Sequence, residues 1–145
     1  MKTVAQLIAT KPDPSVYGIA PTATVLESIR LMAEKGIGAL VVMDGEHLAG
    51  IVSERDYARK MVLHGRSSVA TPVSEIMTRD VITVAPRQNI QECMELMTDR
   101  HLRHLPVLDE QGKVVGLLSI GDLVKNVIAE QQSLIQQLEQ YIRGE

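Results

Sequence analysis

Gly50-Ile51-Val52-Ser53-Glu54-Arg55-Asp56 returns as Gly116-Leu117-Leu118-Ser119-Ile120-Gly121-Asp122, 66 positions later (122 − 56). Upstream, Ile19-Ala20-Pro21 returns as Val84-Ala85-Pro86, and Val25, Ile29 and Met32 return as Ile90, Met94 and Met97, at an offset of 65 (86 − 21). The extra residue falls in the Asp109 to Gly112 turn. Self-similarity at this period means two copies of one supersecondary unit, and it sets the architecture before any single residue is interpreted.

The chain has 145 residues, one domain of ordinary size or two half-sized units sharing a core. Units of about 60 residues bury too little surface to be stable alone, so the copies are expected to pack on each other. Hydrophobic residues make up 45% of the chain, with no Phe or Trp and three Tyr, so the core is aliphatic. A net charge of −3 and a pI near 5.8 argue against a general nucleic-acid or anionic-membrane binder. One cysteine, Cys93, excludes an internal disulfide and fits a reducing compartment. Its counterpart in the first copy is Ser28 (93 − 65), a small helix residue. No apolar run approaches the length of a membrane helix, and the first residues lack a signal-peptide apolar region, so a cytoplasmic location is expected.

Val4, Leu7 and Ile8 have helical spacing, as do Val73, Ile76 and Met77, so each copy is expected to carry its own short leading helix. Lys11-Pro12-Asp13-Pro14 then breaks the chain, where the second copy has Thr78-Arg79-Asp80. Val16 to Ile19 and Val81 to Val84 read as short strands. Helices follow, capped by Thr24 and Asn89. Gly38 to Met43 and Leu105 to Leu108, then Leu48 to Val52 and Val114 to Leu118, are apolar runs of strand length, expected to be buried on both faces. Asp44-Gly45 and the Asp109 to Gly112 segment are hairpin turns between them.

The order per unit is strand, helix, strand, strand, helix: an α/β fold of two units packed sheet to sheet. The boundaries expected are 1–15 for the leading helix and linker, 16–72 and 73–127 for the repeats, and 128–145 for a helical extension. Along the last helix Val127/Ile128, Leu134/Ile135 and Tyr141/Ile142 recur every seven residues with Leu138 between. That stripe serves either packing back on its own domain or self-association.

Ser53 with Asp56, and Ser119 with Asp122, lie where a buried strand ends and a helix begins. Ser at an N-cap with an acid three residues on is a capping box worth about 1 kcal/mol, and a cap would be duplicated with the rest. The alternative is a nucleotide cradle. A helix N-terminus offers N–H groups to phosphate, the Ser hydroxyl can donate, and the Asp carboxylate can accept from both hydroxyls of a ribose. The Asp would repel a bare anion without a diol.

The doubled unit, with Gly50 to Asp56 and Gly116 to Asp122 closing each copy and Arg103-His104-Leu105-Pro106-Val107 opening a strand, resembles the cystathionine-β-synthase (CBS) domain family over residues 3 to 127. As a tandem pair it is similar to a Bateman module. The resemblance implies two CBS repeats with pseudo-two-fold symmetry, a disc-like homodimer, and a regulatory ligand such as AMP, ADP, ATP, S-adenosylmethionine or NAD(H) in the cleft between repeats. It implies that Asp56 and Asp122 hold ribose hydroxyls and that Ser53 and Ser119 face ribose or phosphate. Backbone of Tyr17, Gly18 and Ile19, and of Ile82, Thr83 and Val84, would read the adenine edge. Ala39, Val41, Leu105 and Val107 would flank the base, beside Pro106.

The copies differ in charge. Gly36, Gly38 and Ala39 correspond to His101, Arg103 and His104, whereas Arg55 corresponds to Gly121; Arg59 and Lys125 match, one turn after each Asp, and Arg55, Arg59 and Lys125 are expected among the ligand-binding residues. A solvated basic face is the plain reading of Arg100 to His104. Against it, the cluster leads into the expected cleft, where loops carry function, so Arg103 and His104 are expected to meet phosphate and the two sites to be unequal. His101 and His104 lack a third ligand at suitable spacing, and arginines beside them would repel a cation, so no metal is expected. No nucleophile elbow, Walker loop or dinucleotide fingerprint is present, so no enzyme activity is expected. The expected function is sensing of adenine nucleotides, with output to a separate protein effector or within the oligomer. The rival is a ligand-free interaction module.

Overall fold

The computed structural model describes residues 2–144; residues 1 and 145 of the expected end segments lie outside it. The elements are α1 (Val4–Thr10), β1 (Gly18–Ile19), α2 (Val25–Lys35), β2 (Ala39–Asp44), β3 (His47–Ser53), α3 (Glu54–Asp56), α4 (Ile90–Arg100), β4 (His104–Leu108), β5 (Val114–Ser119) and α5 (Ile120–Arg143). A π-helical turn, Tyr57–Val62, prolongs α3, and a 3-10 turn spans Val73–Glu75. The fold is α/β, with a sheet in the order β1-β2-β3 and a second of β4-β5.

The repeat persists in detail. Hydroxyl or amide oxygens of Thr24 and Asn89 accept from the N–H of Glu27 at 3.1 Å and of Glu92 at 2.9 Å, capping α2 and α4. α2 ends on Gly36 at φ 65°, and α4 ends on its counterpart His101 at φ 55°, a left-handed conformation that costs a histidine more than a glycine. Both hairpins are antiparallel, pairing Ala39 with Ser53 and His104 with Ser119, and both bulge at the same place, after Val42 and after Val107.

Four expectations are corrected. The first concerns the leading helices, which change places. Val4 and Leu7 of α1 are buried against Ile90, Cys93, Met97 and Leu118 of the second repeat. Val73, in a 3-10 turn, and Ile76 and Met77, just after it, are buried against Val25, Met32 and Val52 of the first. Backbone bonds fasten the exchange: the Val4 N–H donates to Gln88 O at 2.8 Å, and the Val73 N–H donates to Ala23 O at 2.8 Å. Helical spacing identifies an apolar face but not the core that face will join.

Second, Val81 to Val84 forms no strand. β1 lies parallel to β2, and the N–H of Val41 donates to Tyr17 O at 3.3 Å. The counterpart of Val41 is Pro106 (41 + 65), which has no N–H to give, so the second copy retains only the bridge of Val84 with Val107.

Third, Ala39 to Val42 and Leu105 to Val107 are buried, but β3 and β5 are edge strands that bury alternate residues, and Val115 is 37% exposed. Fourth, α3 has three residues before the backbone widens to π-helical turns. The following turn at Gly65, φ 63°, ends the segment where expected.

α5 settles its own alternative. Leu123 and Asn126 are buried, yet residues 131–144 are exposed throughout, so the extension does not pack back on its domain.

Candidate functional site

Both Ser–Asp junctions are real capping boxes. The Ser53 N–H donates to Asp56 Oδ2 at 3.0 Å and the Asp56 N–H to Ser53 Oγ at 3.2 Å. In the second copy the corresponding bonds are 2.8 Å, Ser119 N–H to Asp122 Oδ2, and 3.1 Å, Asp122 N–H to Ser119 Oγ. Capping does not exhaust these groups, because each junction also lines a cleft whose opposite wall comes from the other repeat.

The first cleft, about 310 Å³, sets Ser119, Asp122 and Leu117 against Tyr17, Gly38 and Ala39. The second, about 220 Å³, sets Ser53, Arg55, Asp56 and Arg59 against Arg103 and His104. The pseudo-symmetry explains the pairing: Gly38-Ala39 and Arg103-His104 are counterparts at an offset of 65, as Asp56 and Asp122 are at 66. His104 lines both clefts. A side chain placed on Gly38 would stand 3.9 Å from the His104 ring and 3.2 Å from Glu54 Oε1, so glycine there keeps the boundary open.

Several expected ligand residues lie elsewhere. Leu105 and Val107 belong to the second core. They are counterparts of Leu40 and Val42, which belong to the first core, whereas His104, of the other parity, lines both clefts, and Pro106 is buried and lines neither. Of the residues expected to act through their backbone, Ile82 and Val84 pack their side chains in the second core and Ile19 in the first, and the N–H and carbonyl of Val84 are both engaged by β4, at Pro106 O and the Leu108 N–H, 3.0 Å each. Gly18 sits tightly on Val41, whose Cγ2 is 3.2 Å from the position a Cβ would take, and Val41 itself is buried. Thr83 lines an open groove at the hairpin end, and Lys125 is exposed on α5 and lines neither cleft.

Lys11 is the residue the sequence reading missed. Its ammonium lies 3.1 Å from Asp122 Oδ2 and donates to Leu117 O at 2.9 Å, reaching from the Pro-flanked linker into the second repeat. The one available signal was a lysine in a linker without a counterpart lysine. Lys60 performs the equivalent task in the first repeat, 3.2 Å from Asp56 Oδ1 and donating to Ile76 O at 2.8 Å.

The carboxylates therefore differ. Both oxygens of Asp56 are engaged by Ser53 and Lys60, while Lys11 and Ser119 share Oδ2 of Asp122. Among the described residues no hydrogen bond or ion pair takes Asp122 Oδ1. Burial alone would raise the Asp122 pKa, but the Ser119 N–H and the Lys11 ammonium outweigh it and hold the carboxyl below its usual range. Burial lowers the His104 pKa against the pull of Asp122, aided by Arg103 and Lys11, so its imidazole is neutral at pH 7. Among the described residues no group of three or more His, Cys, Asp or Glu is placed to hold a metal ion.

Two α/β units in tandem, joined by exchanged leading segments and enclosing paired clefts, define a class of module, and comparison with known proteins identifies it. The CBS domain family profile matches residues 4–63 and again 73–129, and the chain belongs to that family. A putative signal-transduction protein with CBS domains from Burkholderia ambifaria is 59% identical, with a TM-score of 0.86 over 90% of this chain and 96% of that one. CBSX3, a mitochondrial CBS domain-containing protein of Arabidopsis thaliana, is 43% identical over 126 residues; the match covers 83% of this chain and 61% of that protein's length. The CBS domain pair of protein MJ0100, solved in complex with 5′-methylthioadenosine and S-adenosyl-L-methionine, shares the fold at 22% identity with a TM-score of 0.79. No helix of the described residues is long and apolar enough to cross a membrane.

Proposed function

We propose that this chain is a regulatory module that binds adenosine-containing nucleotides, AMP, ADP, ATP or NAD(H), in the clefts between its repeats and signals by a change of conformation or assembly. One observation carries the reading. Asp122 is held ionised and oriented by Ser119 and Lys11, with Oδ1 unpaired among the described residues, in a cleft whose far wall includes the small residues Gly38 and Ala39 beside Tyr17. A fixed carboxylate is suited to accept from a ribose diol, and small residues admit a planar base. The ligands of the MJ0100 pair, both adenosine derivatives, are consistent with it. A ligand acts on such a module only by differential affinity for its two arrangements. The reading assigns no turnover. It places the protein in a reducing, cytoplasmic compartment, supported by the lone buried Cys93.

Calorimetric titration of the full chain with adenosine, AMP, ATP and NADH tests it, together with thermal unfolding. A ligand at 100 times its Kd stabilises by about 2.7 kcal/mol, a shift of several degrees. No heat and no shift with any of them would leave the rival reading, an interaction module in which the Ser–Asp pairs serve only as caps.

The assembly proposed is a homodimer through α5. Leu134, Ile135, Leu138, Tyr141 and Ile142 are all more than half exposed, and with Val124 and Ile128 they form one stripe at heptad spacing. The stripe borders a groove between α4 and α5 walled by Ile90, Met94 and Val127, beside Asn126, whose buried amide nitrogen and oxygen both lack partners. Leu138→Glu is expected to halve the mass measured by light scattering; an unchanged dimer, or a monomeric wild type, removes α5 from this role.

A further inference from the structure

The two clefts carry different charge. Arg55 and Arg59 from the first repeat and Arg103 from the second converge on the cleft at Asp56. Among the described residues the ion pairs are Lys11 with Asp122, Lys60 with Asp56 and Arg66 with Glu75, so none of these three arginines is paired. Asp56 does not balance them, because Lys60 already neutralises it. Their crowding is visible in Arg55, whose pKa is lowered by Arg59 first, then Arg103, then burial. His101 adds a further donor from the left-handed position that glycine fills in the first repeat.

The other cleft is nearly balanced. Its cations, Lys11 and Lys35, face Asp122 and Asp13; Lys11 pairs with Asp122, and Lys35 lies 5.2 Å from the centroid of the Tyr17 ring, whose hydroxyl donates to Asp13 at 2.6 Å. The positions equivalent to Arg103 and Arg55 are Gly38 and Gly121 (103 − 65, 55 + 66).

Resting on the nucleotide-binding reading, we propose that the clefts divide ligands by phosphate charge: the cleft at Asp56 takes a nucleotide with two or more phosphate groups, and the cleft at Asp122 takes adenosine or a nucleoside bearing at most one. Unpaired guanidiniums match phosphate oxygens in pairs and gain most from a polyanion. A neutral or singly charged nucleoside is favoured where the diol acceptor is free and no excess cation remains.

The test is competition calorimetry on the full chain with adenosine, AMP, ATP and inorganic tripolyphosphate, in the wild type and in the double variant Arg55→Gln, Arg103→Gln. Expected in the wild type is ATP binding about tenfold or more tighter than AMP at one site, with tripolyphosphate displacing ATP but not adenosine. In the double variant the ATP advantage disappears, adenosine affinity is unchanged, and the unliganded protein melts no lower than wild type because repulsion has been relieved. Equal affinity for ATP and AMP, or displacement of adenosine by tripolyphosphate, overturns the division while leaving nucleotide binding intact. If no adenine compound binds, the nucleotide-binding reading fails and the division fails with it.

Discussion

Gly50→Ala is expected to destabilise the fold by about 1–3 kcal/mol, and to do so more than Gly116→Ala although the two glycines are counterparts. A Cβ at position 50 would stand 2.7 Å from the carbonyl oxygen of Thr78 and 2.8 Å from Met77 Sδ. That carbonyl cannot retreat. Ile51 donates to it at 3.0 Å and Thr78 donates back to Ile51 O at 2.8 Å, which is the bond pair that fastens the exchanged segment to β3. At Gly116 the group met is the end of the Ile8 side chain, which can rotate away. Thermal unfolding of both variants checks this, with a larger fall in Tm at position 50. Equal falls would mean that the backbone contact with Thr78 yields as easily as a side chain.

Asp122→Ala is expected to weaken adenosine binding by about 10- to 100-fold, the loss of one charged acceptor worth about 1.5–3 kcal/mol. Asp56→Ala is expected to weaken it less, since Asp56 Oδ2 already accepts twice from Ser53 and Oδ1 is paired with Lys60, which leaves neither oxygen as free as Asp122 Oδ1. Each variant also loses its capping acid and about 1 kcal/mol of stability. That shared cost separates the two roles: stability should fall alike in both variants, affinity for adenosine chiefly in the first. Calorimetry with unfolding curves for each protein measures this pair of effects. Equal affinity losses, or none in Asp122→Ala, would show that the carboxylate is a cap and not a diol acceptor.

Much of the fold was legible because it rests on local chemistry. Thr24, Asn89, Ser53 and Ser119 cap helices through bonds to residues three positions on, and such spacing is written in the sequence. The hairpins followed from apolar runs around glycine turns. The cleft was legible in part. The Ser–Asp junctions and the Arg103-His104 segment line the clefts, whereas Leu105 and Val107, expected to flank a base, belong to the second core, as the repeat itself signals by aligning them with Leu40 and Val42 of the first. Pro106 was also available as a signal: a residue without an N–H cannot complete the parallel pair that Val41 makes with Tyr17.

By itself the sequence determined that there are two copies of one unit, the order of elements in each, the capped junctions, and the charge that distinguishes the copies. Each depends on neighbours within a few residues or on a fixed offset, and both are read along the chain. Only the tertiary structure decided that α1 serves the second core, that Lys11 reaches Asp122, and that Arg55 and Arg59 meet Arg103 across the repeats. These are contacts between surfaces distant in sequence, selected by which apolar faces bury together. An apolar stripe of either copy satisfies the same local rules against either core, so no spacing within one copy can specify its partner in the other.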